Sequence, residues 1–146
     1  MNDALSLDPD LRAVLERKGA VVALETTVIS HGLPHPENLS VARGLEADVR
    51  GLGATPATIG VLGGRIRIGL RDAELERFAT GTGIHKLSSA DLPYAVATGA
   101  NGATTVAATV VCAQLAGIEI VATGGIGGVH RGAETTYDVS ADLPQL

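Results

Sequence analysis

The stretch Gly19-Ala-Val-Val-Ala-Leu-Glu-Thr-Thr-Val-Ile-Ser-His-Gly-Leu-Pro-His35 decides the class of the fold. Val21-Val22-Ala23-Leu24 is an unbroken apolar run of strand length, the pattern of a strand covered on both faces. Glu25 ends the run and a polar loop over residues 26–35 follows. Helical patterns stand on either side. Asp8 caps the first, Pro9 suits its opening position, and Leu11, Val14 and Leu15 share a face before Gly19 stops it. Pro36 opens the second, where Leu39, Ala42, Leu45 or Glu46, and Val49 keep helical spacing until Gly51 and Gly53. A buried strand between two helices is the rhythm of an α/β protein.

The alternation continues along the chain. Residues 57–62 read as a strand, Gly63-Gly64 as a two-residue hairpin turn, and Ile66, Ile68 and Leu70 alternate with Arg65, Arg67 and Gly69 as a half-exposed strand does. A short helix over 72–79, a short strand over 84–87 and a helical turn or two over 91–98 come next. Gly102 introduces a helix over 103–116, which Gly117 closes. Residues 118–122 read as a buried strand running into Thr123-Gly-Gly-Ile-Gly-Gly128. The pattern predicts the α/β class with a mainly parallel sheet, the hairpin adding an antiparallel piece. Ser140-Ala141-Asp142 reads as a helix start just before Leu146. The expectation is therefore a single domain whose N-terminal part is residues 1–146, with a sheet incomplete at its C-terminal side.

Composition limits the possible partners. The chain has 146 residues, 45% hydrophobic but only 2% aromatic, so the core is built from Ala, Val, Leu and Ile. A net charge of −5 gives no footprint for a nucleic-acid backbone or an anionic membrane. Cys112 is the single cysteine and sits among Val110, Val111 and Ala113, as a small buried apolar residue does; an intrachain disulfide is excluded. The first ten residues lack the basic start and apolar run of a secretory leader, and the apolar stretch 106–112 is too short to span a bilayer. A cytoplasmic protein is expected.

Three polar clusters stand at or near expected strand ends, where open α/β sheets place ligands. They are Glu25-Thr26-Thr27 with Ser30-His31, His85-Lys86 with Ser88-Ser89, and the region from Thr123 to Asp142. Glu25, at the mouth of a buried strand, is partly desolvated; it suits a proton donor, or else it caps a helix or pairs with an arginine. Lys86 is one of two lysines, and Lys18 is explained by its helix end. Lys86 either binds phosphate, forms an imine, or is a solvated surface lysine. The run 123–128 offers free N–H groups for phosphate, yet His130 stands where a dinucleotide fingerprint has its third glycine; tight packing is the competing explanation. His130, Asp138 and Asp142 suit Mg2+ or Mn2+ better than zinc, and two aspartates at that spacing also occur on solvated helix starts. His31 and His35 read as plain loop residues.

The motifs resemble one family. Val22-Ala-Leu-Glu-Thr-Thr-Val-Ile-Ser-His-Gly32, Pro56-Ala-Thr-Ile-Gly-Val-Leu-Gly-Gly64, Asp91-Leu-Pro93, Asn101-Gly-Ala-Thr-Thr-Val106, Ala122-Thr-Gly-Gly-Ile-Gly-Gly-Val-His-Arg-Gly-Ala-Glu134 and Asp138-Val-Ser-Ala-Asp-Leu143 look like the successive motifs of the pseudouridine-5'-phosphate glycosidases. These enzymes reversibly split the carbon–carbon glycosidic bond of pseudouridine 5'-phosphate into uracil and ribose 5-phosphate. The resemblance implies a three-layer α/β/α fold and a homotrimer using Mn2+ or another divalent cation. It implies Glu25 as proton donor, Lys86 near the substrate phosphate, Val106 as a substrate contact, Asp138 as metal ligand and Ser140, Ala141 and Asp142 as a substrate-binding run. His130 is expected against the uracil or sugar, and Thr123 near phosphate. The family's imine-forming lysine is expected beyond residue 146. The rival expectation is therefore an inactive sugar-phosphate or nucleotide-binding fragment that lacks this lysine.

Overall fold

The computed structural model describes residues 4–146. Its axis is β3 (Thr55–Leu62), the longest strand of a seven-stranded sheet. Residues 55–58 of β3 pair in parallel with β2 (Val21–Leu24), which pairs in parallel with β7 (Ile120–Ala122). Residues 59–62 pair antiparallel with β4 (Arg65–Ile68), reached through a Gly63-Gly64 turn whose φ values of 57° and 73° explain the two glycines. Gly60 and Val61 pair on the other edge with β6 (Gly102–Thr104), also antiparallel. β1 (Leu5–Leu7) joins β4 and β5 (His85–Leu87) joins β6, both in parallel.

Two strands thus share one edge of β3 while running in opposite directions. β2 ends beside Thr58, where Leu24 pairs, and β6 ends just past Gly60, where Ala103 pairs. Their C-terminal ends meet at Ile59, whose carbonyl faces the gap. Thr26 Oγ1 and Thr104 Oγ1 both donate to that carbonyl at 2.8 Å. The Thr104 N–H donates to Thr26 Oγ1 at 2.9 Å, and Thr109 Oγ1 donates to Thr104 Oγ1 at 3.0 Å. All three threonines are fully buried. A gap that would strand a buried carbonyl is closed by side chains.

Side-chain alternation along β3 separates two helical layers. Ala57, Ile59 and Val61 lie in a core with Leu11 and Val14 of α1 (Pro9–Glu16), Leu92 and Ala95 of α4 (Leu92–Thr98), and Ala108, Cys112 and Ala113 of α5 (Val106–Ala116). On the other face Thr58 Oγ1 donates to Glu46 Oε1 of α2 (Glu37–Gly51) at 2.6 Å, and Gly60 lies against the Phe78 ring of α3 (Asp72–Thr80). Ile29, Leu39, Ala42, Leu75 and Phe78 form the core there. Each large side chain so enclosed contributes about 1.5–3 kcal/mol. Cys112 has no exposed surface, and burial pushes its thiol up to about 12, so it is an inert part of the core.

The three-layer α/β architecture and mainly parallel pairing agree with the sequence reading, and several elements differ in detail. The loop expected over 26–35 contains a wide π-type turn, Val28–Gly32, which buries Ile29. The helix expected over 103–116 begins at Val106, because Ala103 and Thr104 belong to β6. Three small residues carry no period by which a strand is read, whereas Ala103 and Thr104 extend a helical pattern smoothly. The strand expected to be buried over 118–122 is an edge strand, with Ile120 59% exposed. Residues 140–142 start no α-helix; Val139 bridges Val129, and Leu143–Gln145 forms a single 3-10 turn. Among the described residues no helix is long and apolar enough to cross a membrane.

Thr104→Val removes a donor to Ile59 and an acceptor of Thr109 at a buried position. It is expected to lower stability by about 1–3 kcal/mol, read as a lower urea midpoint with an unchanged slope.

Candidate functional site

The seam at Ile59 also places the polar residues. Glu25 follows β2, Lys86 lies within β5, Thr105 and Val106 follow β6, and Thr123 follows β7. β2 and β7 approach from one side and β5 and β6 from the other, so four strand ends converge. A cavity of about 580 Å3 opens there. Glu25, Lys86, Val106, His130, Asp138, Ser140, Ala141 and Asp142, eight of the nine residues expected at the site, line it.

Glu25 is half-buried and held by hydroxyls. Thr123 Oγ1 donates to Glu25 Oε1 at 2.6 Å, and Thr27 Oγ1 contacts Oε2. Thr123 also accepts from the Gly125 N–H at 3.3 Å, tying the glycine-rich loop to the carboxylate. It is thus the ninth residue, placed behind Glu25 rather than among the cavity-lining residues. Lys86 is exposed to the cavity and makes no ion pair among the described residues.

The far wall is a small ribbon. The His130 N–H donates to the Asp138 carbonyl at 3.1 Å and the Ser140 N–H to the Gly128 carbonyl at 2.9 Å, on either side of the Val129–Val139 bridge. Asp142, 7% exposed, fastens this ribbon to α5. Its Oδ1 accepts from the Ala107 N–H and its Oδ2 from the Gly127 N–H, both at 2.8 Å. The first of these lies at the positive end of the α5 dipole, where a carboxylate is favoured. Gly127 is required because a Cβ there would meet Ser140 Oγ. Asp142 therefore has both oxygens engaged by backbone, while Ser140 and Ala141 border the open space.

Sequence reading groups Thr27 and Ser88 with Glu25 and Lys86 without singling them out, and both line the cavity. Thr105 lines it too. The sequence pattern places it inside a helix, whereas it caps α5 by accepting from the Ala108 N–H at 3.4 Å. His31 and His35 are exposed and lie outside this cavity. Among the described residues no three His, Cys, Asp or Glu side chains group into a metal site. A second cleft of about 550 Å3 contains Arg43, Arg50 and Arg71, but each is paired, with Asp72 at 2.7 Å, Glu46 at 2.8 Å and Asp8 at 2.9 Å. Among the described residues it offers no free cation to an anionic ligand, unlike the cavity with Lys86.

Asp142→Asn puts an amide donor against one of two backbone donors. The expected result is faster amide exchange at Gly127 and Ala107, by about tenfold or more for a loss of roughly 1.4 kcal/mol, with little change at β3; hydrogen exchange read by mass spectrometry or NMR checks it.

Residues 10–146 match the family model described as indigoidine synthase A like protein. The chain is 62% identical over 142 residues to the pseudouridine-5'-phosphate glycosidase of Solibacter usitatus, covering 97% of this chain and 48% of the relative. It is 55% identical to that of Caldanaerobacter subterraneus over 146 residues, covering 100% of this chain and 48% of the relative. The chain thus spans about half the length of the curated relatives it matches. Among solved structures, the prealnumycin C-glycosynthase AlnA in complex with ribulose 5-phosphate superposes with a TM-score of 0.86 at 45% identity, covering 97% of this chain and 45% of that one. An indigoidine synthase A (IdgA)-like protein from Thermotoga maritima gives 0.80 at 42% identity, covering 86% and 42%.

Proposed function

This chain belongs to the family of indigoidine synthase A like proteins, and from that premise we propose that it supplies the glutamate-bearing part of a pseudouridine-5'-phosphate glycosidase. The names of its relatives support the reading, as does a sugar phosphate bound to a structural neighbour. The observation that carries it is the placement in one cavity of Glu25 and of Lys86, which makes no ion pair among the described residues, delivered by opposing sets of strands.

The chemistry requires such a separation. A carbon–carbon glycosidic bond offers no leaving oxygen or nitrogen to protonate, so acid assistance alone does not break it. Lys86 anchors the phosphate of the substrate, and Val106 borders the sugar. Glu25 donates a proton as the sugar ring opens. A lysine outside residues 1–146 adds through its neutral amine to C1' as the C1'–O bond opens; once the base carbon is protonated the C1'–C bond breaks, its electron pair stays with the departing uracil, and the lysine nitrogen lone pair forms the imine at C1'. Water then releases ribose 5-phosphate, and the reverse direction uses the same groups. His130, on the ribbon, contacts uracil or sugar. A divalent cation such as Mn2+ would have Asp138 as its protein ligand, with water and substrate oxygens completing the sphere, as hard cations accept; bound there it would neutralise anionic charge. Assembly as a cytoplasmic homotrimer belongs to the same reading.

A second reading is bond formation rather than cleavage, in the direction that the name of the C-glycosynthase neighbour indicates for that protein. The 62% identity to a glycosidase against 45% to that neighbour favours cleavage.

In the full-length protein, Glu25→Gln is expected to lower turnover by about 100-fold or more while ribose 5-phosphate still binds; wild-type rates would remove the proton-donor role. Lys86→Ala is expected to weaken phosphorylated substrate by about 10–100-fold, the worth of a charge-assisted hydrogen bond, and to leave an unphosphorylated analogue unaffected. Equal losses on both would place the phosphate elsewhere. Asp138→Asn lowers apparent Mn2+ affinity in a titration that follows activity. Residues 1–146 alone release no uracil, whereas the same residues joined to the second half of the Solibacter usitatus relative do.

A further inference from the structure

The cavity at the seam is polar on almost every side. The side chains that line it are charged, titratable, hydroxyl-bearing or no larger than alanine, except Val106 and Ile126. Val106 is buried, whereas Ile126 is 52% exposed. Among the described residues Ile126 is the one exposed large apolar side chain that lines this cavity. Val129, Tyr137 and Val139, from the same ribbon, are exposed outside the lining.

The backbone around Ile126 shows how it is held there. Two glycines precede it and two follow. A Cβ at Gly124, Gly125 or Gly128 would meet nothing within 4 Å, and none of the three has a positive φ. Neither crowding nor a left-handed backbone among the described residues demands them. They leave bare space beside one branched side chain. A glycine-rich run is loose unless it is tied, and this one is tied on both sides of Ile126. The Gly125 N–H donates to Thr123 Oγ1 at 3.3 Å, and the Gly127 N–H donates to Asp142 Oδ2 at 2.8 Å. The side chain is thus presented at a fixed place in the cavity that holds Lys86. A flat carbon surface that must leave water finds one partner here. In a substrate of the proposed class that surface is a face of the pyrimidine ring, since sugar and phosphate carry hydroxyls and charged oxygens. We propose that Ile126 is the residue that determines base specificity: one face of the pyrimidine base rests on its side chain, while the phosphate lies at Lys86. Enzymes that take a base out of its stack bear it on apolar side chains in the same way. The inference deepens the glycosidase reading and rests on it.

The consequence is a division between the two halves of the substrate. Removing carbon at position 126 weakens the base and leaves the sugar phosphate alone. The experiment runs the reaction in its synthetic direction in the full-length protein, with uracil varied at saturating ribose 5-phosphate and then the converse. Ile126→Ala is expected to raise KM for uracil about 15-fold, as for roughly two methylenes leaving contact. KM for ribose 5-phosphate stays within about twofold of wild type. Ile126→Val, one methylene smaller, raises the uracil KM about fourfold. Ile126→Thr has the shape of Ile126→Val with a hydroxyl in place of a methyl, and raises it about threefold further, because the hydroxyl loses water against an apolar face. Ile126 is outside the two buried cores, so these changes open no core cavity, and the ribose 5-phosphate KM of each variant controls for folding. Equal rises in both KM values mean that the side chain supports the loop or packs against another part of the full-length protein, and they overturn the proposal. An unmoved uracil KM in Ile126→Ala overturns it as well, and so does Ile126→Thr matching Ile126→Val, which would make the wall steric rather than apolar. A wild type that forms no pseudouridine 5'-phosphate sinks the glycosidase reading and this inference with it, whereas an active wild type with any of the contrary patterns sinks the inference alone.

Discussion

The carbonyl of Ile59, shared by the hydroxyls of Thr26 and Thr104, is the contact on which the rest of the molecule depends. A sheet edge normally offers its hydrogen bonds to one neighbouring strand. Here β3 changes partner halfway, from β2 to β6, and the new partner runs the other way. Such an exchange strands a buried carbonyl unless something else satisfies it. Threonine serves because its hydroxyl both donates and accepts, and because its branched side chain is at ease in extended backbone. The consequence is geometric. Strands that meet head to head deliver their C-terminal residues to one place, and the cavity with Glu25 and Lys86 is that place.

Parts of this are legible in the sequence and parts are not, for identifiable reasons. Val21 to Leu24 and the Gly63-Gly64 turn declare themselves because long apolar runs and special φ angles leave compositional marks. Glu25 and Lys86 stand out because charged residues beside apolar runs are rare enough to question. Gly102-Ala103-Thr104 does not, since a three-residue strand of small side chains has no period of its own and is defined by what it pairs with. Misplacing it hides Thr105 as a cap and as a cavity residue. The edge position of β7 is hidden similarly, because an apolar run states that a strand exists but not how many neighbours it has. Asp142 is a candidate from its motif; that its oxygens clamp Ala107 and Gly127 needs the tertiary structure.

The site divides labour between rigid and adjustable parts. Glu25 follows β2, and hydroxyls of Thr27 and Thr123 hold its two carboxyl oxygens. Lys86 comes from the opposing strands and makes no ion pair among the described residues, leaving its charge to a ligand. The ribbon from Gly125 to Asp142 closes the third side and is fastened by one buried carboxylate at a helix N-terminus. The cleft with three arginines shows the contrast: abundant positive charge, fully neutralised by partners already in the protein.

The central claim is that opposing strand ends build a single sugar-phosphate site. A crystal structure of the full-length protein with ribose 5-phosphate tests it most directly. The account predicts the phosphate within hydrogen-bond distance of Lys86 Nζ, and the sugar between Glu25 and Val106 with Thr26 and Thr104 unmoved beneath it. Ribose 5-phosphate bound instead in the cleft of Arg43, Arg50 and Arg71, with the cavity at the seam empty, would contradict it.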